Sequence, residues 1–242
     1  MLNKKEIINL QNTNKIDEIK KISIKFTSNF YDYIKHIKKN SRSINFIRHL
    51  ETILPSKVFI GQKINPTLRQ YNKSNINLVR RLSGISNKII YTGSSIRSQD
   101  TANILFKGHK YKVLKLINEI DYGLVEGLDF QGLRKKFNNL YLKMINGKNF
   151  KYPKGETYKD VRKRVFSLIK KISYNKKNII IITHNVFIRV LLGIFFKIND
   201  KNLYKILINY GQNLNFIWHN KRLYPNFSRL DFLNLFSKNI VN

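Results

Sequence analysis

Two short apolar runs end in the same way, and together they constrain the fold more than any other feature of the chain. Ile44-Asn45-Phe46-Ile47 leads into Arg48-His49-Leu50-Glu51-Thr52, and Ile179-Ile180-Ile181-Ile182 leads into Thr183-His184-Asn185. Short apolar runs rich in β-branched residues read as buried strands, and each closes on a polar residue and a histidine. As neighbouring parallel strands of one sheet, they would bring both histidines to carboxyl ends of strands. That is the edge where open α/β sheets bind ligands.

The intervening sequence alternates in a way that supports such a sheet. After the first strand, 55–66 reads as a loop with a Gly61-Gln62 turn. A helix is expected over 68–82, stopped by Ser83-Gly84. A strand over 88–91 leads into Thr92-Gly93-Ser94-Ser95, and a helix from Ile96 places Arg97 and Thr101 one turn apart on one face. A strand is expected over 111–117. The clearest amphipathic helix spans 156–172, with Val161, Val165, Leu168, Ile169 and Ile172 at helical spacing. An apolar helix over 186–196, a strand over 213–218 and a helix over 230–236 complete the pattern. Alternating strands and helices predict an α/β fold with a mostly parallel central sheet and helices on both faces. Residues 1–42 read differently, as a helical or poorly ordered extension, which leaves 43–242 as one domain.

Composition bounds the class. The chain has 242 residues, 42% of them hydrophobic, which is enough for one well-cored domain. No apolar stretch approaches membrane-spanning length, and no secretory signal follows Met1. Glu6, Asp17, Glu18 and Asp32 disfavour a transit peptide. With no cysteine there is neither a disulfide framework nor a catalytic thiol, and a cytoplasmic setting is expected. The formal charge of +32 raises nucleic acid as a partner. The lysines are scattered rather than blocked, however, so a solvated basic surface is the better reading. A basic field still concentrates phosphorylated ligands near a cleft.

Five charged side chains suit phosphoryl chemistry. Arg48 and Arg97 offer the planar fork that grips phosphoryl oxygens. His49 and His184 supply a nitrogen nucleophile and a second donor. Glu119, expected at the end of the 113–117 strand, can protonate a departing alkoxide and then activate water. The helix after His184 is expected to aim its amino end at the bound anion. Taken singly, each has a plainer reading: a core histidine, a solvated arginine, a surface carboxylate. His36, His109 and His219 carry no pattern and are read as surface or partly buried.

Arg48-His49-Leu50-Glu51-Thr52 resembles the Arg-His-Gly-Glu-Thr motif of the histidine phosphatase superfamily, the phosphoglycerate-mutase-like proteins. The resemblance continues in order. Thr92-Gly93-Ser94-Ser95-Ile96-Arg97 with Thr101-Ala102 is similar to the family's Ser-Ser-Pro-Leu-x-Arg…Thr-Ala segment. Glu119 to Gly123 with Glu126-Gly127, Pro153 to Thr157, and Thr183-His184-Asn185 match its remaining segments. The resemblance implies a three-layer α/β/α sandwich, no metal and no cofactor. It makes His49 the nucleophile and Glu119 the proton donor, with Arg48, Arg97 and His184 holding the phosphoryl group. Thr52 and Asn185 are expected to assist substrate binding, and Glu156 to support the site.

The departures are Leu50 and Asn185 in place of glycine, and Val125 in place of a frequent tryptophan. Leu50 either narrows the leaving-group space or packs inward, and Asn185 is expected to accept the left-handed backbone. The short interval from Glu119 to His184, and Phe59 to Gln62 with Pro66 and Leu68, favour the small-phosphatase branch over mutases. The expectation is a metal-independent phosphomonoesterase acting on a small phosphorylated metabolite, with a homodimer left open. Its rivals are phosphoglycerate mutase-type transfer and a non-catalytic basic binder on the same scaffold. Residues 129–154 are expected to shape the mouth, with Asn138, Tyr141, Lys143 and Lys151 as candidates.

Overall fold

Six strands form one sheet in the computed structural model, which describes residues 41–54, 57–69, 82, 84–226 and 235. In chain order the described elements are β1 (Arg42–Arg48), β2 (Lys88–Thr92), α1 (Ile96–Leu105), β3 (Tyr111–Val113), α2 (Phe130–Lys136), α3 (Asn138–Ile145), α4 (Tyr158–Ser173), β4 (Asn178–Thr183), α5 (Asn185–Phe196), β5 (Asn213–His219) and β6 (Arg222–Pro225). The strand order is β3-β2-β4-β1-β5-β6. β3, β2, β4 and β1 run parallel to their neighbours, while β5 pairs antiparallel with β1 and β6 antiparallel with β5. The sheet is therefore mixed, with a parallel centre and an antiparallel hairpin at one edge.

The two apolar runs behave as their composition requires. β1 and β4 are adjacent and parallel, with Ile44 opposite Ile179 and Arg48 opposite Thr183. Ile179 and Ile181 pack with Ile44 and Phe46 against Val161, Val165, Leu168 and Ile172 of α4 and the apolar face of α5. Ile180 and Ile182 point the other way, packing with Ile47 and Ile90 against Ala102 and Leu105 of α1. Side chains of successive strand residues thus feed opposite cores, and an unbroken isoleucine run is what a strand covered on both faces demands. Fully burying one such side chain contributes about 1.5–3 kcal/mol. Helices on both faces make the three-layer α/β/α arrangement.

Three expectations are corrected. The strand expected over 111–117 stops at Val113, and Lys115–Ile117 forms a 3-10 turn. Its partner β2 ends at Thr92, so beyond the Leu114 N–H to Thr92 O bond the backbone has no ladder to join. It satisfies itself instead, through Ile117 N–H to Leu114 O and Asn118 N–H to Lys115 O. The amphipathic helix begins at Tyr158 rather than 156, because Thr157 and Asp160 form a reciprocal capping box there. Glu156 is thereby left outside the helix and turned to another task. Asn185 is the first residue of α5 and is not among the residues with positive φ, so left-handed tolerance is not what this position uses. The expected helix over 230–236, the N-terminal helices and most of the 68–82 helix lie outside the described residues.

Candidate active site

The β1–β4 register determines where the histidines go. One residue past the Arg48–Thr183 pair, the His49 N–H donates to Thr183 O at 2.9 Å, and His184 caps α5. The two rings face each other with centroids 5.1 Å apart. His49 Nδ1 lies 2.7 Å from Leu50 O, and a carbonyl only accepts. Nδ1 therefore carries the proton and Nε2 keeps a free lone pair. His184 Nε2 lies 3.4 Å from Ser95 Oγ, while its Nδ1 is buried without a hydrogen-bond partner among the described residues. Gly93 makes this approach possible, since a Cβ there would stand 3.0 Å from His184 Nε2.

Both arginines enter from different elements and are held by main-chain carbonyls. Arg48 Nη1 donates to Ile208 O at 2.5 Å, and the guanidinium carbon sits 3.7 Å from the centroid of the Tyr210 ring. Its Nε is buried and has no hydrogen-bond partner among the described residues. Arg97, 1% exposed on α1, donates from Nη2 to Gly61 O at 2.8 Å and from Nη1 to Ile64 O at 3.2 Å. That loop is in turn fixed by Glu126, whose Oε1 accepts from the Gly61, Lys63 and Ile64 N–H groups. Thr101 links the same helix to the nucleophile's neighbour: its hydroxyl donates to Arg97 O and accepts from the Leu50 N–H.

Glu119 is buried beside them. Its Oε1 accepts from the N–H groups of Ile120 at 3.0 Å and Val186 at 3.1 Å. The Val186 N–H of α5, expected to face the anion, is thus spent on this carboxylate. The segment carrying Glu119 is braced by Arg164 and Glu156. Arg164 Nη1 donates to Leu116 O at 2.9 Å and Asn118 O at 2.8 Å, and Arg164 Nε donates to Glu156 Oε1 at 2.9 Å. Glu156 Oε2 also accepts from the Asp121 N–H at 2.9 Å. The turn that follows needs Gly123, which has φ 57° and whose Cβ would meet Pro153 O at 2.0 Å. Arg164→Ala strands two carbonyls and the Glu156 carboxylate. We expect it to cost roughly 1–3 kcal/mol of stability in a thermal melt and to lower turnover, because Glu119 loses its fixed backbone.

Electrostatically the site is cationic, and most of it is buried. Burial pulls the His49 and His184 imidazoles well below their ordinary range, and the Arg97 and Arg48 charges add to this. Burial pushes Glu119 above the usual carboxylate range, outweighing the Ile120 and Val186 N–H groups and the two arginines, which act in the opposite sense. A carboxyl biased toward its protonated form and imidazoles biased toward their neutral form thus lie near two guanidinium groups, an arrangement suited to a dianionic group. Among the described residues no group of three or more His, Asp or Glu is placed to hold a metal ion, and no helix is long and apolar enough to cross a membrane.

The model of the histidine phosphatase superfamily (branch 1) matches residues 44–224. The chain belongs to this superfamily. Among curated relatives, fructose-2,6-bisphosphatase of Saccharomyces cerevisiae is 29% identical over 185 residues, covering 74% of this chain and 40% of that protein. 6-Phosphofructo-2-kinase/fructose-2,6-bisphosphatase 1 of Rattus norvegicus is 30% identical over 166 residues, covering 67% of this chain and 34% of that one. The chain therefore spans little more than a third of the length of these relatives. The solved alpha-ribazole phosphatase of Shigella flexneri shares the fold, with a TM-score of 0.67 and 18% identity over 77% of this chain and 96% of that chain.

Within this superfamily member, the structure brings Arg48, His49, Arg97, Glu119 and His184 together, with Glu156 behind Glu119. Thr52 pairs with Leu68 in an isolated bridge, and its buried Oγ1 has no hydrogen-bond partner among the described residues. Leu50 is buried at 4% exposure, so its side chain packs inward. Of the proposed mouth residues, Asn138 lines a separate hollow with Lys136, Phe137 and Pro153, and Tyr141 lies under Arg134. Sequence reading missed four residues. Arg189, the only charged residue of the apolar α5, had a signal in being a charge among apolar residues, and Arg164, half-buried next to Val165 of α4, had a weaker one. Asn118, which accepts from the Ser94 N–H and donates to Ser94 Oγ, and Tyr210 had none.

Proposed function

We propose that this protein is a metal-independent phosphomonoesterase that hydrolyses a small phosphorylated metabolite through a phosphohistidine on His49. The observation that carries the reading is the His49 imidazole, pinned through Nδ1 to Leu50 O and set beside the buried Arg97 and the half-buried Arg48. In this scheme Nε2 attacks phosphorus, and Arg48, Arg97 and His184 take the equatorial oxygens as charge spreads over them. Glu119 gives its proton to the leaving oxygen, and the resulting carboxylate then takes a proton from the water that splits the phosphorus–nitrogen bond. Thr52 Oγ1 and Asn185 Oδ1, buried without hydrogen-bond partners among the described residues, are assigned to the substrate.

A sugar phosphate is the substrate class we favour, given relatives named fructose-2,6-bisphosphatase. The setting we propose is the cytoplasm.

The test is hydrolysis of p-nitrophenyl phosphate in EDTA, with fructose 2,6-bisphosphate as the first metabolite. Turnover that survives EDTA supports the reading, and silence toward both, or activity only with added metal, overturns it. The pH profile adds a sharper check. His49 is an imidazole of lowered pKa, so its lone pair stays available below the usual value of about 6.5. Glu119 is a carboxyl of raised pKa and stays protonated above its usual range. We expect kcat/KM to peak on the mildly acidic side. It should fall on the alkaline side as Glu119 ionises, with the enzyme's acid limb below about pH 6.5. An enzyme acid limb at or above that value contradicts the assignment.

A further inference from the structure

Arg48 is held by one short segment of chain in three separate ways. Ile208 O takes its Nη1–H, the Tyr210 ring lies 3.7 Å from its guanidinium carbon, and its main chain pairs with Gln212 O and the Gly211 N–H. The same Gly211 N–H reaches His49 O at 3.3 Å, and the Tyr210 ring stands 5.6 Å from the His49 ring. Residues 208–212 thus clasp both members of the Arg-His pair. With Nη1 tied back and one face of the plane covered by an aromatic ring, the buried Nε–H is left without a hydrogen-bond partner among the described residues.

An arginine grips a phosphoryl group through a flat pair of N–H donors, so the orientation of its plane decides whether the grip is made. A guanidinium bonded only at Nη1 still has freedom to tilt about that bond. The stacked ring removes this freedom, and it also keeps water from the face it covers.

We propose that Tyr210 is a positioning residue for phosphate capture: its ring, rather than its hydroxyl, fixes the Arg48 plane so that the Nε edge meets the phosphoryl group. The inference rests on the phosphatase reading above for the identity of the ligand. It concerns a residue outside the matched motifs, on the loop that leads into β5.

The test is equilibrium binding of inorganic phosphate by calorimetry, which requires no turnover, alongside p-nitrophenyl phosphate kinetics. Tyr210→Leu should weaken phosphate binding about tenfold, whereas Tyr210→Phe, which keeps the ring, should restore it to within about twofold of wild type. The decisive readout is a double-mutant cycle with Arg48→Lys. Lysine has no plane to orient, so in that background Tyr210→Leu should cost little more, a coupling that a general packing defect would not produce. The inference is overturned if Tyr210→Leu binds phosphate like wild type, if Tyr210→Phe falls as far as Tyr210→Leu, or if the loss is unchanged in the Arg48→Lys background. A wild-type protein that binds no phosphate overturns the phosphatase reading and this inference together. A wild type that binds while Tyr210→Leu binds equally well overturns this inference alone.

Discussion

His49→Ala is expected to remove turnover by a factor on the order of ten thousand or more, the scale seen when a covalent nucleophile is deleted. The loss should come without collapse of the fold. Among the described residues the His49 side chain makes one hydrogen bond, to Leu50 O, while its main-chain N–H and C=O stay in the Thr183 and Gly211 contacts whatever the side chain is. Stability should therefore fall by only about 1 kcal/mol. Arg48 and Arg97 keep their carbonyl partners, so inorganic phosphate should still bind. A variant that melts like wild type, binds phosphate and does not turn over separates a nucleophile from a structural histidine. A variant that retains turnover would assign the chemistry elsewhere.

Glu119→Gln should reveal two roles in one residue. The amide is close to isosteric, and a single oxygen suffices for both the Ile120 and Val186 N–H groups, because Oε1 accepts from both. Alkyl phosphates, whose leaving oxygen needs a proton, should lose about a hundredfold to ten-thousandfold in kcat. p-Nitrophenyl phosphate departs as a stable phenolate, so formation of the phosphoenzyme should be largely spared. Hydrolysis of that intermediate still needs a base to activate water. Stopped-flow traces should consequently show a burst of about one p-nitrophenolate per active site followed by slow release. Equal losses on both substrates with no burst would contradict the assignment of Glu119 as acid and then base.

The parts of this site that could be read from the sequence are those fixed by local pattern. Isoleucine runs that end in histidine specify strands covered on both faces, and the β1–β4 pairing then places His49 and His184 side by side. Arg97 was legible because it opens a helix one turn before Thr101. What stayed hidden depends on partners distant in sequence. Where β3 stops is set by the end of β2, so Glu119 sits after a 3-10 turn rather than on a strand. The Val186 N–H of α5 is claimed by Glu119, a choice that helix polarity alone does not dictate. Tyr210 lies in a loop with no periodicity, and only the folded chain shows that it stacks on Arg48. Asn185 is the opposite case, since the tolerance of left-handed backbone expected of it goes unused in a residue that begins a helix.

The central claim is that the phosphoryl group passes through His49. The most direct measurement is to quench the enzyme in alkali during turnover of a phosphoryl-labelled substrate and to map the labelled peptide by mass spectrometry. The account predicts one acid-labile, alkali-stable phosphoryl group on the peptide containing His49, absent from His49→Ala. Label on His184, or full turnover with no labelled histidine, would contradict it.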